Sequence, residues 1–291
     1  MKQKWKVGAS LLMVVILIFC LGSMTGCQKV ESEIDENGLK VTVFRVGKAD
    51  AIVLESGEHT MVIDVGEEED GEEVVAYLEH EHISKVDTLI ITHYDHDHVG
   101  GADTLIEAFD IGKVFVPAYE GSNVEYVDFK HAMEKKGIHP EALLQPVDFL
   151  FGDANVLVEP PSSYEIESSA AEMDNNFSLI TTVTHGKNTF LFTGDAEKWR
   201  TRDWLANGTV STCDVLKVPH HGVYNKAMEE LLEVVKPQYA IVCSSNKNPA
   251  DPETLEMLKE SNVTVLQTKD GNVTIVSDGE KLDVDQKLEA K

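Results

Sequence analysis

Thr92-His93-Tyr94-Asp95-His96-Asp97-His98-Val99-Gly100-Gly101 decides the reading of this chain. Imidazoles and carboxylates crowd positions 93 to 98 directly after the apolar run Thr88-Leu89-Ile90-Ile91. A short run of that kind suits a buried strand, so the acids and bases gather where a strand ends. Folding around so many of them is costly unless solvent, partners or cations balance the charge. Aspartates are natural ligands for hard cations, and imidazole suits transition metals. A solvated polar turn would hold the same residue types, but two later segments repeat the arrangement. Phe192-Thr193-Gly194-Asp195-Ala196-Glu197 and Lys217-Val218-Pro219-His220-His221-Gly222 each place ligand types after a strand-like run. Two metal ions is the economical reading.

Working outward, β-branched runs broken by glycines and charges predict strands at 39–46, 51–55, 61–64 and 88–92, with helices at 72–80 and 102–109. A second series of strands is expected at 178–184, 189–193, 215–218, 239–243, 263–266 and 273–276. Met228, Leu231, Leu232 and Val235 recur at helical spacing, and Pro237 stops that helix. Two β-rich halves with helices imply an α+β fold: two sheets face to face with helices on both outer faces, a four-layer αββα sandwich, with loops gathered at one edge. Periodicity alone leaves other α/β layouts open. The interval 121–161, with one helix-like piece at 124–136, reads as a connection or insertion, and 279–291 as a frayed tail.

The beginning of the chain is of a different kind. Lys2, Lys4 and Lys6 precede an apolar run over 7–21 and then Gly22-Ser23-Met24-Thr25-Gly26-Cys27, the pattern of an export signal. Small residues followed by Cys27 resemble the lipid-attachment signal of bacterial lipoproteins, cut before the cysteine, whose thiol then carries a diacylglyceryl anchor. The expected organisation is therefore a signal over 1–26, a polar tether over 27–37, a folded domain over 38–278 and the tail. An uncleaved membrane anchor is the alternative, but the run is shorter than the ~20 residues a bilayer crossing needs. Either reading places the rest at the extracytoplasmic face of the cell membrane.

No acid precedes Cys27, while three of the 25 basic residues do, so the remainder carries 22 basic against 51 acidic side chains, a formal charge near −29. Such a field repels polyanions and disfavours a broad, nonspecific grip on nucleic acid unless cations or a local basic patch supply the attraction. Of the four cysteines, Cys213 and Cys243 remain for the domain, and neither stands in a metal-type spacing. Burial as small hydrophobes is the default for both, with a disulfide open in that compartment.

The T-H-x-D-x-D-H-x-G-G loop, the T-G-D-A-E segment and the V-P-H-H-G segment, in this order, resemble the metallo-β-lactamase superfamily, and most of all its ComEC-like branch, the hydrolase domain of bacterial DNA-uptake proteins. Phe44-Arg45-Val46-Gly47-Lys48-Ala49-Asp50-Ala51, Met61-Val62-Ile63-Asp64-Val65-Gly66 and Asn175-Asn176-Phe177-Ser178-Leu179 add to the likeness, which covers roughly 39–276. The resemblance implies that His93 and Asp95 bind one metal, that Asp97 and His98 bind the second, that Asp195 bridges them, and that His220 or His221 supplies a further ligand. His221, directly before Gly222, is the favoured one. Asn176 and Ser178 lie where the branch carries its own motif and, with Asp64, become substrate or support candidates. Asp50 is equally open between bracing and chemistry, His185 is a further ligand candidate, and His96 supports the loop.

Many relatives have His where this chain has Asp95, and a carboxylate there hardens the first site, moving preference from Zn²⁺ toward Mn²⁺ or a mixed pair. Two ions ~3.5–4 Å apart acidify bound water and polarise a scissile group, with Asp97 and Asp195 the catalytic carboxylates. The expectation is a two-metal phosphodiesterase acting through metal-bound hydroxide on a small or polymeric phosphoester such as DNA, teichoic acid or a phosphocholine polymer. A β-lactam or lactone hydrolase is the alternative on the same scaffold, and a non-catalytic metal-binding surface lipoprotein is a third reading.

Overall fold

A computed structural model describes residues 38–164, 174–207 and 211–286. The export signal, Cys27 and the tether lie outside them. Within the described residues no helix is long and apolar enough to cross a membrane.

In chain order the first half contains β1 (Leu39–Val43), β2 (Ala51–Ser56), β3 (His59–Val65), α1 (Gly71–His80), β4 (Lys85–Ile90), the short α2 (His96–Val99), α3 (Ala102–Ala108), β5 (Asp110–Pro117), α4 (Val124–Lys136) and β6 (Glu141–Leu143). The second half adds β7 (Val147–Phe151), β8 (Ala154–Glu159), β9 (Ile180–His185), β10 (Asn188–Phe192), α5 (Lys198–Ala206), β11 (Val215–Lys217), α6 (Ala227–Val235), β12 (Tyr239–Val242), α7 (Pro252–Glu260), β13 (Thr264–Gln267), β14 (Val273–Ser277) and β15 (Leu282–Gln286).

The strands form an eight-stranded sheet, ordered β15-β14-β1-β2-β3-β4-β5-β6, and a seven-stranded sheet, ordered β13-β12-β11-β10-β9-β8-β7. Side-chain alternation explains the layering. On β3, Met61 and Ile63 turn inward to meet Phe190, Phe192 and Ile241 of the other sheet, while Val62 and Val65 turn outward to Leu78, Leu105 and Phe129 beneath α1, α3 and α4. On the far side, Leu216, Val218 and Val242 pack against Trp204, Leu231 and Leu258 of α5, α6 and α7. Strands covered on both faces read as unbroken apolar runs, which is why β4 and β12 stand out in the sequence. The result is the expected αββα sandwich.

Two expectations are corrected. The 121–161 interval is no insertion: it supplies β6 to one sheet and the antiparallel pair β7–β8 to the other. The 279–291 segment is not frayed throughout, because β15 pairs antiparallel with β14 from Val273↔Gln286 to Ser277↔Leu282. Both Cys213 and Cys243 are buried free thiols.

Three parallel ladders position the chemistry. β3–β4, β10–β11 and β11–β12 run the same way, so the turns leaving β3, β4, β10 and β11 emerge at one edge of the sandwich. Functional groups at the carboxyl ends of parallel strands share one crevice.

Candidate metal centre

Each turn delivers one part of the site. After β4 the chain runs through Thr92 and His93 into α2, whose first turn carries Asp97 and His98. After β10 comes Gly194, at φ 50°, then Asp195. After β11 come His220 and His221, both left-handed at φ 46° and 52°. Left-handed backbone is uncommon for side chains of this size and persists where surrounding structure enforces it. Here it swings His221 inward, buried, while His220 stays at the rim.

Asp97, His98, Asp195 and His221 each aim one donor atom at a common point, all four within 4.8 Å of one another. His221 Nε2 lies 3.0 Å from Asp195 Oδ2 and 3.3 Å from Asp97 Oδ2, and His98 Nε2 lies 3.3 Å from Asp195 Oδ1. His93 adjoins them, its ring centroid 4.0 Å from that of His98. The buried Nε2 atoms of His93, His98 and His221 have no hydrogen-bond partner. Buried polar groups are nearly always partnered, so several orphaned imidazole nitrogens facing carboxylates are what a set of metal ligands presents. The residues therefore fit divalent metal.

The groups behind the ligands set their orientation. Asp64, itself left-handed at φ 56°, accepts hydrogen bonds from Thr92 N (2.7 Å) and Thr92 Oγ1 (2.6 Å), and its Oδ2 lies 2.8 Å from His98 Nδ1. A carboxylate on the far nitrogen fixes the tautomer and turns the other nitrogen to the metal. Asp50 Oδ1 faces His221 Nδ1 at 3.5 Å. Asp50, Asp64 and His98 also converge, but Lys217 takes up Asp50 Oδ2 and Thr92 takes up Asp64, so protein donors already occupy that corner. Lys217 is wholly buried; its Nζ also donates to Gly194 O (2.9 Å) and lies 3.4 Å from Asp195 Oδ1.

Charge follows this geometry. Burial opposes ionisation of Asp195, but His221, His98 and Lys217 together hold its carboxyl well below the usual range. Asp97 is half-buried, which opposes its ionisation, yet it is held low by His221 and His98. Burial disfavours charged His98 and His221, and the carboxylates around them more than reverse it, raising both. Burial pushes against the Lys217 charge as well, and Asp50 and Asp195 hold it protonated.

The remaining predicted residues have distinct places. Ser178 Oγ accepts from Asp195 N (3.1 Å) and lies 3.5 Å from His93 Nδ1. Asn176 Oδ1 accepts from Arg200 N (3.0 Å), capping the first turn of α5. Both are buried braces. His220 turns away from the four-donor cluster, with Nδ1 3.2 Å from Glu197 Oε1 and Nε2 4.0 Å from Asp195 Oδ2. His96 is exposed and directed to Asp97 at 3.9 Å. His185 stands away from the site, its Nδ1 2.8 Å from Ser277 Oγ.

Sequence reasoning passed over Lys217 and Arg200. A lysine inside the apolar run Val215-Leu216-Lys217-Val218 was the available signal for the first. Arg200 had none: its guanidinium donates to Ser178 O (2.9 Å) and Glu159 O (2.6 Å), contacts between segments far apart in the chain.

A two-sheet sandwich with aspartate and histidine donors converging at one edge defines a class of metal-binding proteins. Residues 45–245 match the Metallo-beta-lactamase superfamily, and the chain belongs to it. It is 28% identical to ComE operon protein 3 of Bacillus subtilis over 209 residues, 70% of this chain and 26% of that protein. It is also 28% identical to Recombination protein 2 of Haemophilus influenzae over 180 residues, 61% of this chain and 20% of that protein. The chain thus spans about a quarter and a fifth of the length of these two curated relatives. Among solved structures, the metallo-beta-lactamase fold protein YhfI from Bacillus subtilis superposes with a TM-score of 0.53 at 14% identity, covering 83% of this chain and all of that one. CmlA, a diiron beta-hydroxylase from Streptomyces venezuelae, superposes with a TM-score of 0.50 at 12% identity, covering 82% of this chain and 54% of that one.

Proposed function

We propose that this chain is a metal-dependent phosphodiesterase. The observation that carries the reading is the donor set in which Asp97 and Asp195 converge with buried, unpartnered imidazoles, with Asp95 3.6 Å from His93 beside it. Oxygen donors suit hard cations such as Mn²⁺, with Zn²⁺ the alternative where imidazoles dominate, and two such ions clamp the anionic oxygens of a phosphoryl group. When bound, the ions supply an acidified water and polarise the scissile bond.

The chain's own residues do the rest. His93 and Asp95 would hold one ion, Asp97, His98 and His221 the other, and Asp195 both. Asp64 orients the His98 imidazole, and Lys217 offsets the charge of Asp50 and Asp195. His220, braced by Glu197 at the rim, is placed to carry a proton to the leaving oxygen. A cleft of about 600 Å³ adjoins this rim, lined by Asn176, Glu197, Lys198, Trp199 and Arg202 among others. Lys198 stands there beside Glu197 and Asp203, with Arg202 held by Glu230, and the Trp199 indole offers a face for a ring attached to the phosphoester. A second cavity of about 470 Å³, under Tyr94 and Tyr119, includes none of the ligands.

The resemblance to the ComEC-like branch supports a phosphoester, and the overall negative charge favours short or small substrates over a long nucleic acid gripped nonspecifically. By the same reading the protein works at the outer face of the cell membrane, tethered through lipid on Cys27. Labelled palmitate should enter the wild-type chain and not Cys27→Ser.

The deciding assay offers the purified full chain, with Mn²⁺ or Zn²⁺, bis-p-nitrophenyl phosphate, single-stranded DNA, nitrocefin and an acyl lactone. Metal-dependent turnover of the phosphodiester is expected. Turnover of nitrocefin or lactone without it would replace this function with amide or ester hydrolysis, and turnover of none would leave a metal-binding lipoprotein.

A further inference from the structure

The cavity of about 470 Å³ under Tyr94 and Tyr119 lies one strand over from the donor cluster. β5 runs parallel to β4, so Val116 to Tyr119 leave the sheet at the edge where the loop bearing His93 and Asp95 emerges. Residues of α4 and β6 complete the walls.

Those walls are ring faces and aliphatic groups. Tyr94, Tyr119 and Tyr126 line the cavity with Val116, Met133 and Ile138. The Tyr94 ring centroid lies 4.8 Å from that of Tyr119 and 4.5 Å from that of Tyr126, the planes tilted by 50° and 53°. Each tyrosine hydroxyl is already engaged by protein: Tyr94 Oη donates to Pro117 O (3.2 Å), Tyr119 Oη accepts from Tyr94 N (2.9 Å), and Tyr126 Oη donates to Glu120 Oε2 (2.6 Å). What these walls offer a ligand is therefore aromatic and apolar, in a volume within the roughly 300–1,000 Å³ range of small-molecule pockets. Charge stands at the rim, on Glu120, Lys130 and Glu134. Lys130 pairs with Glu120 at 3.0 Å and its Nζ lies 5.2 Å over the Tyr126 ring, so a cation already rests against one of these faces and Glu134 adds a further negative charge. Tyrosine faces attract cations, and a net charge of −26 favours a positive ligand over a negative one.

One residue joins this cavity to the metal loop. Side chains hold both peptide polar groups of Tyr94: Tyr119 Oη takes its N–H, and Asn123 Nδ2 donates to its carbonyl (2.6 Å). Asn123 Oδ1 in turn accepts from Tyr126 N (2.9 Å) at the start of α4. The segment that walls the cavity thus fixes the chain between His93 and Asp95.

We propose that this cavity is an effector site for a small aryl ammonium, its flat ring among the tyrosines and its cationic head at the Glu134 rim, coupled to metal binding through Tyr94. The inference goes beyond the phosphodiesterase reading and holds whichever bond the metal site cleaves. A metal ion that fixes His93 and Asp95 also fixes the Tyr94 wall, so ring and ion should favour one another.

The test uses calorimetry and ligand-observed NMR on the EDTA-stripped full chain at low salt, with tryptamine, indole and indole-3-acetate as probes, one ring with a positive, an absent and a negative head. Tryptamine should bind most tightly and indole-3-acetate most weakly, the two separated by about 5-fold, the size of one exposed charge pair. Ala142 is exposed on β6 and lines the cavity, so A142W should fold normally and abolish binding of all three. E134K should reverse the order of the charged probes. Saturating Mn²⁺ should tighten tryptamine by at least about 5-fold, and tryptamine should tighten Mn²⁺ by the same factor. Y119F, which releases the Tyr94 N–H and keeps the ring, should lower that factor.

Failure of all three probes to bind at millimolar concentration overturns the proposal. So does wild-type affinity in A142W, or an unchanged order in E134K. Tryptamine affinity that ignores Mn²⁺ removes the effector role. A chain that behaves as expected here yet cleaves no phosphodiester keeps this site and loses the proposed function.

Discussion

Neighbouring histidines in this site do different work, and their backbone decides which. His221 is buried with Nε2 at 3.0 Å from Asp195, while His220, one residue earlier, leans on Glu197 at the rim. H221A should lose an ion, seen as reduced metal content by mass spectrometry. H220A should keep its metal and lose about 10²–10⁴-fold in kcat, the size of a proton-transfer contribution. Equal metal loss in both would abolish this division of labour. Lys217 offers a test that needs no substrate. Its buried ammonium neutralises Asp50 and Asp195. Lys217→Met leaves buried charge uncompensated, a loss of about 3–5 kcal/mol when one partner of a buried pair is removed. Bound cations would replace the missing charge, so the loss in urea unfolding should shrink when metal is saturating. The ligand-bearing residues were legible because acids and bases after apolar runs are conspicuous. Which of two adjacent histidines turns inward was not, since that depends on left-handed torsions imposed by the fold. Lys217 did carry a signal, a lysine inside an apolar run, but its meaning comes from Asp50 in a distant part of the chain.

Elements that carry the site sit toward the buried centres of the sheets, whereas those the sequence concealed sit at the edges, as β6, β7 and β15 do, or one strand in, as β5 and β8 do. β4, β11 and β12 are covered on both faces and announce themselves as apolar runs. β7 alternates half-buried and exposed positions, and β6 is three residues long at the end of its sheet. Edge strands are kept short, charged and half-solvated to discourage pairing with other chains, which erases their periodic signal. β15 is such a case: Leu282 and Val284 pack against the core between the sheets, while Asp283 and Asp285 alternate with them. Ending the chain after Lys281 removes those two side chains and uncovers the edge of β14. Their half-buried apolar surface corresponds to about 2 kcal/mol. The truncated chain should show a lower urea midpoint with metal content unchanged, because the cut lies at the sheet edge away from β3, β4 and β10. A truncation that strips the metal would mean that the edge strand shapes the site.

For the whole molecule, protons and metal ions compete for one cluster, and the signs of their effects differ. In the metal-free chain His98 and His221 are raised above their unfolded values by Asp195 and its neighbours, against the opposing effect of burial. The stability they contribute is fully present below the unfolded histidine pKa of about 6.5 and is lost as pH climbs through their higher folded values. Asp97 and Asp195 are lowered despite burial, so their contribution is present above the unfolded aspartate pKa of about 3.9 and is lost as pH falls through the folded values. The metal-free protein should therefore be most stable between these limits and weaken on both sides. Metal reverses the alkaline limb. Ligand imidazoles must be neutral to bind, so ion binding expels protons and tightens as pH rises. At a free ion concentration 100 times Kd the metal adds about 2.7 kcal/mol to folding stability. Melting curves of the full chain from pH 6 to 9 should thus fall with pH in EDTA and rise or hold level in Mn²⁺, the two sets diverging steadily. Calorimetry in buffers of different ionisation heat should register proton release on binding at pH 6.5 that diminishes toward pH 9. Parallel melting curves with and without the ion would show that His98 and His221 are not what the metal binds.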